Sequence, residues 1–206
     1  MSPDNANTVS DHQSDKKQPR RGRPPFPRSL VLAAADALFA DTDAPHTVSM
    51  DDIAAAAGVG KGTLFRAFGS RDNLLDALFA ERMASLREAI QDGAPPLGPG
   101  TQPRERVLAI LDALLTFKLD NRHLARAREV ASSGMLRAEY YRLSHATLRD
   151  LIEQAGSGAP DLDADYAAHV LLGALRPDLI DELLASGQSP QSIRSTQAAL
   201  VRRILN

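Results

Sequence analysis

Residues 47–79 read TVSMDDIAAAAGVGKGTLFRAFGSRDNLLDALF, and their local chemistry decides the fold. Ser49 suits a helix N-cap, because its hydroxyl can accept from a first-turn amide, and Asp52 stands three residues on to answer it. Ile53, Ala54 and Ala57 then form an apolar stripe at helical spacing. Gly58 sits where the helix must end in a left-handed residue, and Val59 is placed to pack back beneath the turn. A second short helix follows, with Leu64 and Phe68 facing inward at i, i+4. Two short helices crossing steeply over a tight turn make a helix-turn-helix, whose second helix can enter a DNA major groove.

The pattern extends in both directions. Ser70 is a cap for a long helix running from near Arg71 to about residue 92, with Leu74, Leu75, Leu78, Phe79, Met83, Leu86 and Ile90 at helical intervals. Upstream, Ser29 to about Ala40 forms a first helix, and Leu30, Leu32, Ala35, Leu38 and Phe39 offer an apolar surface. Asp41 to His46 connects it to the helix-turn-helix, with His46 expected on the surface. Downstream, GAPPLGPGTQP at 93–103 cannot continue a helix and is a loop. Further helices are expected from Pro103 to about 119, over about 121–132 and 134–155, and from Asp161 or Asp163 onward. Pro177 should end or kink that last one, Gly187 closes the next, and Ser189-Pro190 opens a final helix over 190–205. No alternating strand pattern competes and no internal repeat is present. The expected fold is all-α: a basic arm over 1–27, a three-helix DNA-binding domain over 28–82, and a further helical domain over 83–206.

Composition fits an intracellular protein with a core. The chain has 206 residues, 43% of them hydrophobic, enough for one or two domains. It has no cysteine, which rules out disulfides and thiolate metal ligands and suits a reducing cytoplasm. No apolar run reaches the length of a membrane span, and the polar N-terminal stretch lacks the apolar segment of a secretory signal. A net charge of −2 looks wrong for a DNA binder until it is divided. Residues 1–15 carry three acids and no Lys or Arg, 16–82 carry +2, and 83–206 carry −1. Positive charge is concentrated at 16–28, KKQPRRGRPPFPR, with six bases and no acid. Four prolines and a glycine make this a poor helix former. Arg21-Gly22-Arg23-Pro24 resembles the core of an AT-hook, and narrow A·T-rich minor grooves attract arginine. The plainer reading is a basic tail that raises phosphate affinity without sequence preference.

Residues 47–79 resemble the DNA-binding region of the TetR family of bacterial transcription regulators. Ile53-Ala54, Ala57-Gly58-Val59, Lys61-Gly62-Thr63-Leu64-Phe65-Arg66, Phe68, Arg71 and Leu74-Leu75 carry the resemblance, which extends back through the helix over 28–40. Beyond about residue 82 it is a likeness of length and helical character alone. Two positions depart from the family pattern: Phe65 replaces a usual tyrosine and loses its hydroxyl donor, and Ala67 replaces a frequent histidine. The resemblance implies a homodimer, formed through the last helices, on palindromic double-stranded operator DNA. It also implies a small-molecule effector bound in the C-terminal domain, with repression relieved by that effector.

Within the DNA contact, Lys61 and Thr63 are placed at the start of the recognition helix to reach base edges or nearby phosphates. Gly62 permits close backbone approach, although helix-terminal geometry alone would also explain it. Phe65 is expected against the sugar-phosphate backbone, Arg66 at phosphate or base, and Thr47, Ser49 and Arg71 at phosphates, with Arg21 and Arg23 contributing from the arm. Effector candidates are His123, Arg126, Glu129, Met135, Tyr140, Tyr141, His145 and His169, of which Tyr141 and His145 share a helical face. Surface or structural roles are the plainer reading of each. Val170, Leu179, Leu200 and their neighbours suit either core or dimer interface. The histidines at 12, 46, 123, 145 and 169 lack close metal-ligand spacing, and no phosphate loop or nucleophile elbow occurs, so no enzyme, metal or cofactor is expected. The alternative to a regulator is an architectural A·T-rich DNA binder without ligand control. Either would act in the cytoplasm, at the nucleoid when bound to DNA.

Overall fold

The computed structural model describes residues 26–130, 139–156 and 162–205. The described residues form eleven α-helices and one short 3-10 turn, with no strand. The helices are α1 Arg28–Ala40, α2 Met50–Ala56, α3 Lys61–Phe68, α4 Arg71–Arg82, α5 Ala84–Asp92 and α6 Pro103–Asp120. They continue as α7 Arg122–Val130, α8 Glu139–Ala155, α9 Ala164–Gly173, α10 Pro177–Ala185 and α11 Pro190–Leu205. The calls on Arg21, Arg23 and Met135 lie outside the described residues.

The start of α2 is a capping box. The Ser49 hydroxyl oxygen accepts from the Asp52 amide at 3.2 Å, and the Ser49 amide donates back to Asp52 Oδ2 at 2.9 Å. At its end, Gly58 adopts φ 64°, the Val59 amide reaches Ala54 O at 3.0 Å, and the Gly58 amide reaches Ala55 O at 3.2 Å. These two bonds satisfy carbonyls that the helix end would leave bare, while Val59 packs on the core beneath. Ser70 caps α4 through the Asn73 amide at 3.1 Å.

The first four helices enclose Leu32, Phe39, Ile53, Leu64, Leu74 and Leu78, all essentially inaccessible. In α1 the buried side is Val31, Leu32, Ala35 and Phe39, whereas Leu30, expected inside, is 55% exposed. Val31, Ala35 and Phe39 follow the i, i+4 row that faces α2 and α4, and Leu30 falls off it.

The expected helix over 71–92 is interrupted at Met83. The Met83 amide is shared between the carbonyls of Phe79 and Glu81, tightening the turn there. The chain therefore changes direction on a buried methionine without proline or glycine. Arg106 holds the following loop, donating to Leu97 O at 2.8 Å and to Ile90 O at 2.6 Å. Helices α6, α8, α9 and α11 form the second body around Ile110, Leu115, Leu148, Leu171 and Val201. Helix α7 lies between the two bodies, touching α1, α4 and the 3-10 turn on one side and α6 and α10 on the other. Pro177 opens α10 after α9 has ended at Gly173, and Asp163 caps α9 through the Tyr166 amide at 3.0 Å.

Candidate nucleic-acid interface and effector cavity

Helix α3 buries Leu64 and Phe68 and turns Lys61, Gly62, Phe65, Arg66 and Ala67 outward, with Thr63 half-buried. Phe65 is 39% exposed, unusual for an aromatic side chain with an inner face available. Nothing lies within 4 Å of where a Cβ on Gly62 would stand, and its φ is not positive. The fold itself therefore does not require glycine there. Lys61 Nζ stands 2.6 Å from Asp51 Oδ2 on α2, an exposed pair, and 5.9 Å from the centroid of the Phe65 ring. Arg66 reaches toward Thr63 Oγ1 at 3.5 Å.

The hydroxyl donors nearby are already used. Thr47 Oγ1 donates to Ala44 O at 2.8 Å, and Ser49 Oγ donates to Asp52 Oδ2 at 2.7 Å. A phosphate contact from either requires that hydrogen to swing outward. Asp52 is held below the usual carboxylate range by hydrogen bonds from the Ser49 side chain and backbone. Arg71 points inward: its Nε donates to Val48 O at 2.8 Å, an Nη donates to Pro45 O, and the guanidinium lies 5.1 Å from the Phe39 ring centroid. Burial lowers its pKa. In this arrangement Arg71 pins the loop before α2 onto α4.

A narrow cleft opens in the second body, lined by Phe79 and Met83 of α4 and its end, Leu114, Phe117 and Lys118 of α6, and Tyr140, Tyr141 and Ser144 of α8. Phe79 packs edge-on to Phe117 at 5.2 Å between centroids and tilts against Tyr140 at 4.7 Å. Lys118 Nζ donates to Leu175 O at 2.6 Å. A second cleft shares Met83, Tyr140 and Ser144 and extends past Arg87, Ile90 and Ile110. Both are mainly apolar with a few polar groups, the usual character of a small-molecule site.

The effector candidates divide. Tyr141 lines the first cavity, and burial pushes its phenol pKa up. Tyr140 lines both cavities. His145 and His169 join Tyr141 in a cluster behind the cavity wall: Tyr141 Oη is 2.8 Å from His169 Nδ1. The shared face expected of Tyr141 and His145 is present, with their rings stacked at 6.3 Å.

His123 and Arg126 line neither of these clefts. His123 Nε2 is 3.0 Å from Asp36 Oδ1 of α1, whose other oxygen accepts from Arg82 of α4. Burial alone would raise the Asp36 pKa, but the bonds from His123 and Arg82 and their charge bring it below its ordinary value. Arg126 and Arg122 of α7 both hold Asp181 of α10, the latter at 2.7 Å. The Asp181 hydrogen bond raises the Arg126 pKa. Arg122, His123 and Arg126 of α7 thus each meet a carboxylate on a neighbouring helix, while the Glu129 side chain lies outside the described residues. Sequence reasoning missed Phe79, Met83 and Lys118 as cavity residues. Their helical spacing identifies an inner face, but nothing in it separates a cavity wall from solid core.

The described residues contain no helix long and apolar enough to cross a membrane. The capped two-helix unit, its outward-facing second helix and the cavity-bearing helical body define a helix-turn-helix protein of two parts. Residues 31–78 match the family model for bacterial regulatory proteins of the tetR family. Over 95 residues it is 34% identical to an uncharacterized HTH-type transcriptional regulator of Mycobacterium tuberculosis, seen in two strains. That match spans 46% of this chain and 45% of the relative, so it covers about half the length of each. Among solved structures, a TetR-family transcriptional regulator from Rhodococcus sp. superposes with a TM-score of 0.64 at 21% identity, covering 87% of this chain and 98% of that one. BioQ of Mycobacterium smegmatis gives 0.62 at 21% identity, over 87% and 98%. These two likenesses show that the fold is shared along both bodies.

Proposed function

We propose that this protein is a sequence-specific transcriptional regulator: a homodimeric repressor that leaves a palindromic operator when a small molecule enters its cavity. One observation carries the reading. The cavity wall includes Phe79 and Met83, at the end of the helix whose other end packs on the helix-turn-helix. A ligand in the cavity therefore touches the lever that sets the angle of α3.

The route is short. Phe79 contacts Phe117 and Tyr140 across the cavity, so an occupant that separates these rings shifts the end of α4. One turn on, Arg82 meets Asp36 of α1, and His123 of α7 holds the same carboxylate. These contacts tie movement of α4 and α7 to the DNA-binding domain as a unit. Ligand and DNA then bias one equilibrium, and the coupling is reciprocal: each weakens the other's binding by the same factor. The mostly apolar lining suits an apolar molecule carrying a small polar group that Ser144 or Tyr141 can bond.

Dimerisation follows from reach. One short helix reads few bases, whereas a symmetric pair reads two half-sites about 34 Å apart, or a multiple of it. Leu179 of α10 and Leu200 of α11 remain 41% and 43% exposed in the single chain, which favours these helices as the interface. Lys61, Gly62, Thr63, Phe65 and Arg66 form the contact surface, with Thr47 and Ser49 at its edge and Arg21 and Arg23 reaching from the arm. The test is selection of genomic fragments by the purified full-length protein at moderate salt. A short palindrome in a few promoters is the expected result; enrichment that follows A·T content alone would transfer DNA binding to the arm.

A further inference from the structure

The Tyr141 cluster holds chemistry that effector binding does not use. His145 comes from α8, while Asp165 and His169 stand one turn apart on α9. One donor atom from each of the three lies within 4.8 Å of the others. His145 Nε2 is 3.6 Å from Asp165 Oδ1 and 3.2 Å from the Asp165 backbone O, a contact it gives up to ligate, and His169 Nε2 is 4.0 Å from Asp165 Oδ2. The two imidazole rings face each other at 3.9 Å between centroids. The two histidines stand 24 positions apart in the chain, which is why close spacing along the sequence does not reveal them.

We propose that His145, Asp165 and His169 form a binding site for a divalent transition metal ion. Nitrogen and oxygen ligands at about 2.0–2.2 Å from zinc stand about 3.3 Å from one another in tetrahedral geometry. The two histidine–aspartate separations, each to a different carboxylate oxygen, need to close by less than 1 Å, and a donor separation at the 4.8 Å limit by about 1.5 Å, through rotation of the side chains. Two imidazoles and a carboxylate suit zinc, nickel, cobalt or iron(II) better than calcium or magnesium, which prefer oxygen ligands. Three protein ligands leave a position for water or a ligand atom. His145 is 13% exposed while Asp165 and His169 are about half exposed, so an ion can enter from solvent.

Tyr141 acts as a positioning residue. Its Oη is 2.8 Å from His169 Nδ1; in the tautomer with hydrogen on Nδ1 the Tyr141 oxygen accepts it, and the Nε2 lone pair of His169 is then free to bind. An outer partner of this kind fixes the tautomer and orientation of a metal-bound histidine. Because Tyr141 also lines the cavity, an ion at this site fixes one side chain of the cavity wall. The metal site stands independently of the DNA-binding reading.

The experiment uses full-length protein without a polyhistidine tag, stripped with chelator and titrated calorimetrically with zinc chloride and nickel chloride. The expected result is one ion per chain at micromolar or tighter affinity. Cobalt(II) should give visible absorption bands with nitrogen-ligand intensity. His169→Ala and Asp165→Asn should each weaken binding at least tenfold with unchanged helical circular dichroism. Asp165→Asn alters an exposed side chain and keeps its shape, so it decides the matter if a histidine variant does not fold. Tyr141→Phe should weaken binding by about tenfold, the low end for loss of an outer partner. No binding below millimolar metal, or binding equally tight in His169→Ala and Asp165→Asn, would overturn the proposal.

Discussion

Gly62→Ala should stabilise the fold and weaken DNA binding at once. Gly62 is the second residue of α3, its φ is not positive, and a Cβ there meets no atom within 4 Å. Removing backbone freedom from the unfolded chain at a compatible helical site stabilises by about 0.4–1 kcal/mol. For a domain of this size such a gain shifts the melting temperature upward by about 1–4 °C. On the operator the new methyl stands on the outward side of α3, between Lys61 and Thr63, where the account brings the backbone against DNA. Holding the helix off by a fraction of a methyl diameter lengthens the contacts of both neighbours. Loss of one good base contact costs about 1–3 kcal/mol, so a five- to hundredfold fall in affinity is expected. Thermal denaturation and fluorescence anisotropy on a selected operator read the two effects separately. Unchanged affinity would refute close approach at Gly62, and a lowered melting temperature would show that the glycine serves the turn.

Other predictions follow from the same contacts. Asp51→Asn frees Lys61 from an exposed pair worth about 0.2–1 kcal/mol and removes a charge that repels phosphate, so operator affinity should rise severalfold at low salt and less at high salt. In a Lys61→Ala background that gain should shrink, as a double-mutant cycle by anisotropy will show. Arg71→Lys cannot reach both Val48 O and Pro45 O, and should destabilise the DNA-free protein by about 1–3 kcal/mol in urea titration. Asp36 has a folded pKa below its ordinary 3.8, so its contribution is complete above that value and is lost as pH falls through the lower folded value. Asp36→Asn should therefore lose about 1–3 kcal/mol at neutral pH, with the difference from wild type vanishing in acid below the folded pKa.

Local chemistry explains which parts were legible in the sequence. The capping box at Ser49 and Asp52, the left-handed Gly58, the cap at Ser70 and the Leu64–Phe68 pair involve residues a few positions apart, so the helix-turn-helix stands out in a single stretch. The break at Met83 did not, because a shared amide bond in a buried turn needs no proline or glycine. The partners of His123 and Arg126 were not legible for a different reason. A polar residue on an amphipathic helix announces that it wants a partner, but Asp36 is 87 positions from His123 and Asp181 is 55 from Arg126. Only the packing of α7 against α1 and α10 decides those partners. The same limit hid Asp165 beside His145, while the i, i+4 relation of Tyr141 and His145 was visible along one helix.

The absence of cysteine allows the most direct test of a paired reader. A single cysteine at exposed Ala67 on α3, spin-labelled, reports the separation of two recognition helices by pulsed electron resonance. On a selected operator the account predicts a narrow distribution near one helical turn of DNA, about 34 Å, or twice that, allowing for the length of the label. Absence of dipolar coupling while the operator is bound would contradict it, because a monomer would then be making the contact.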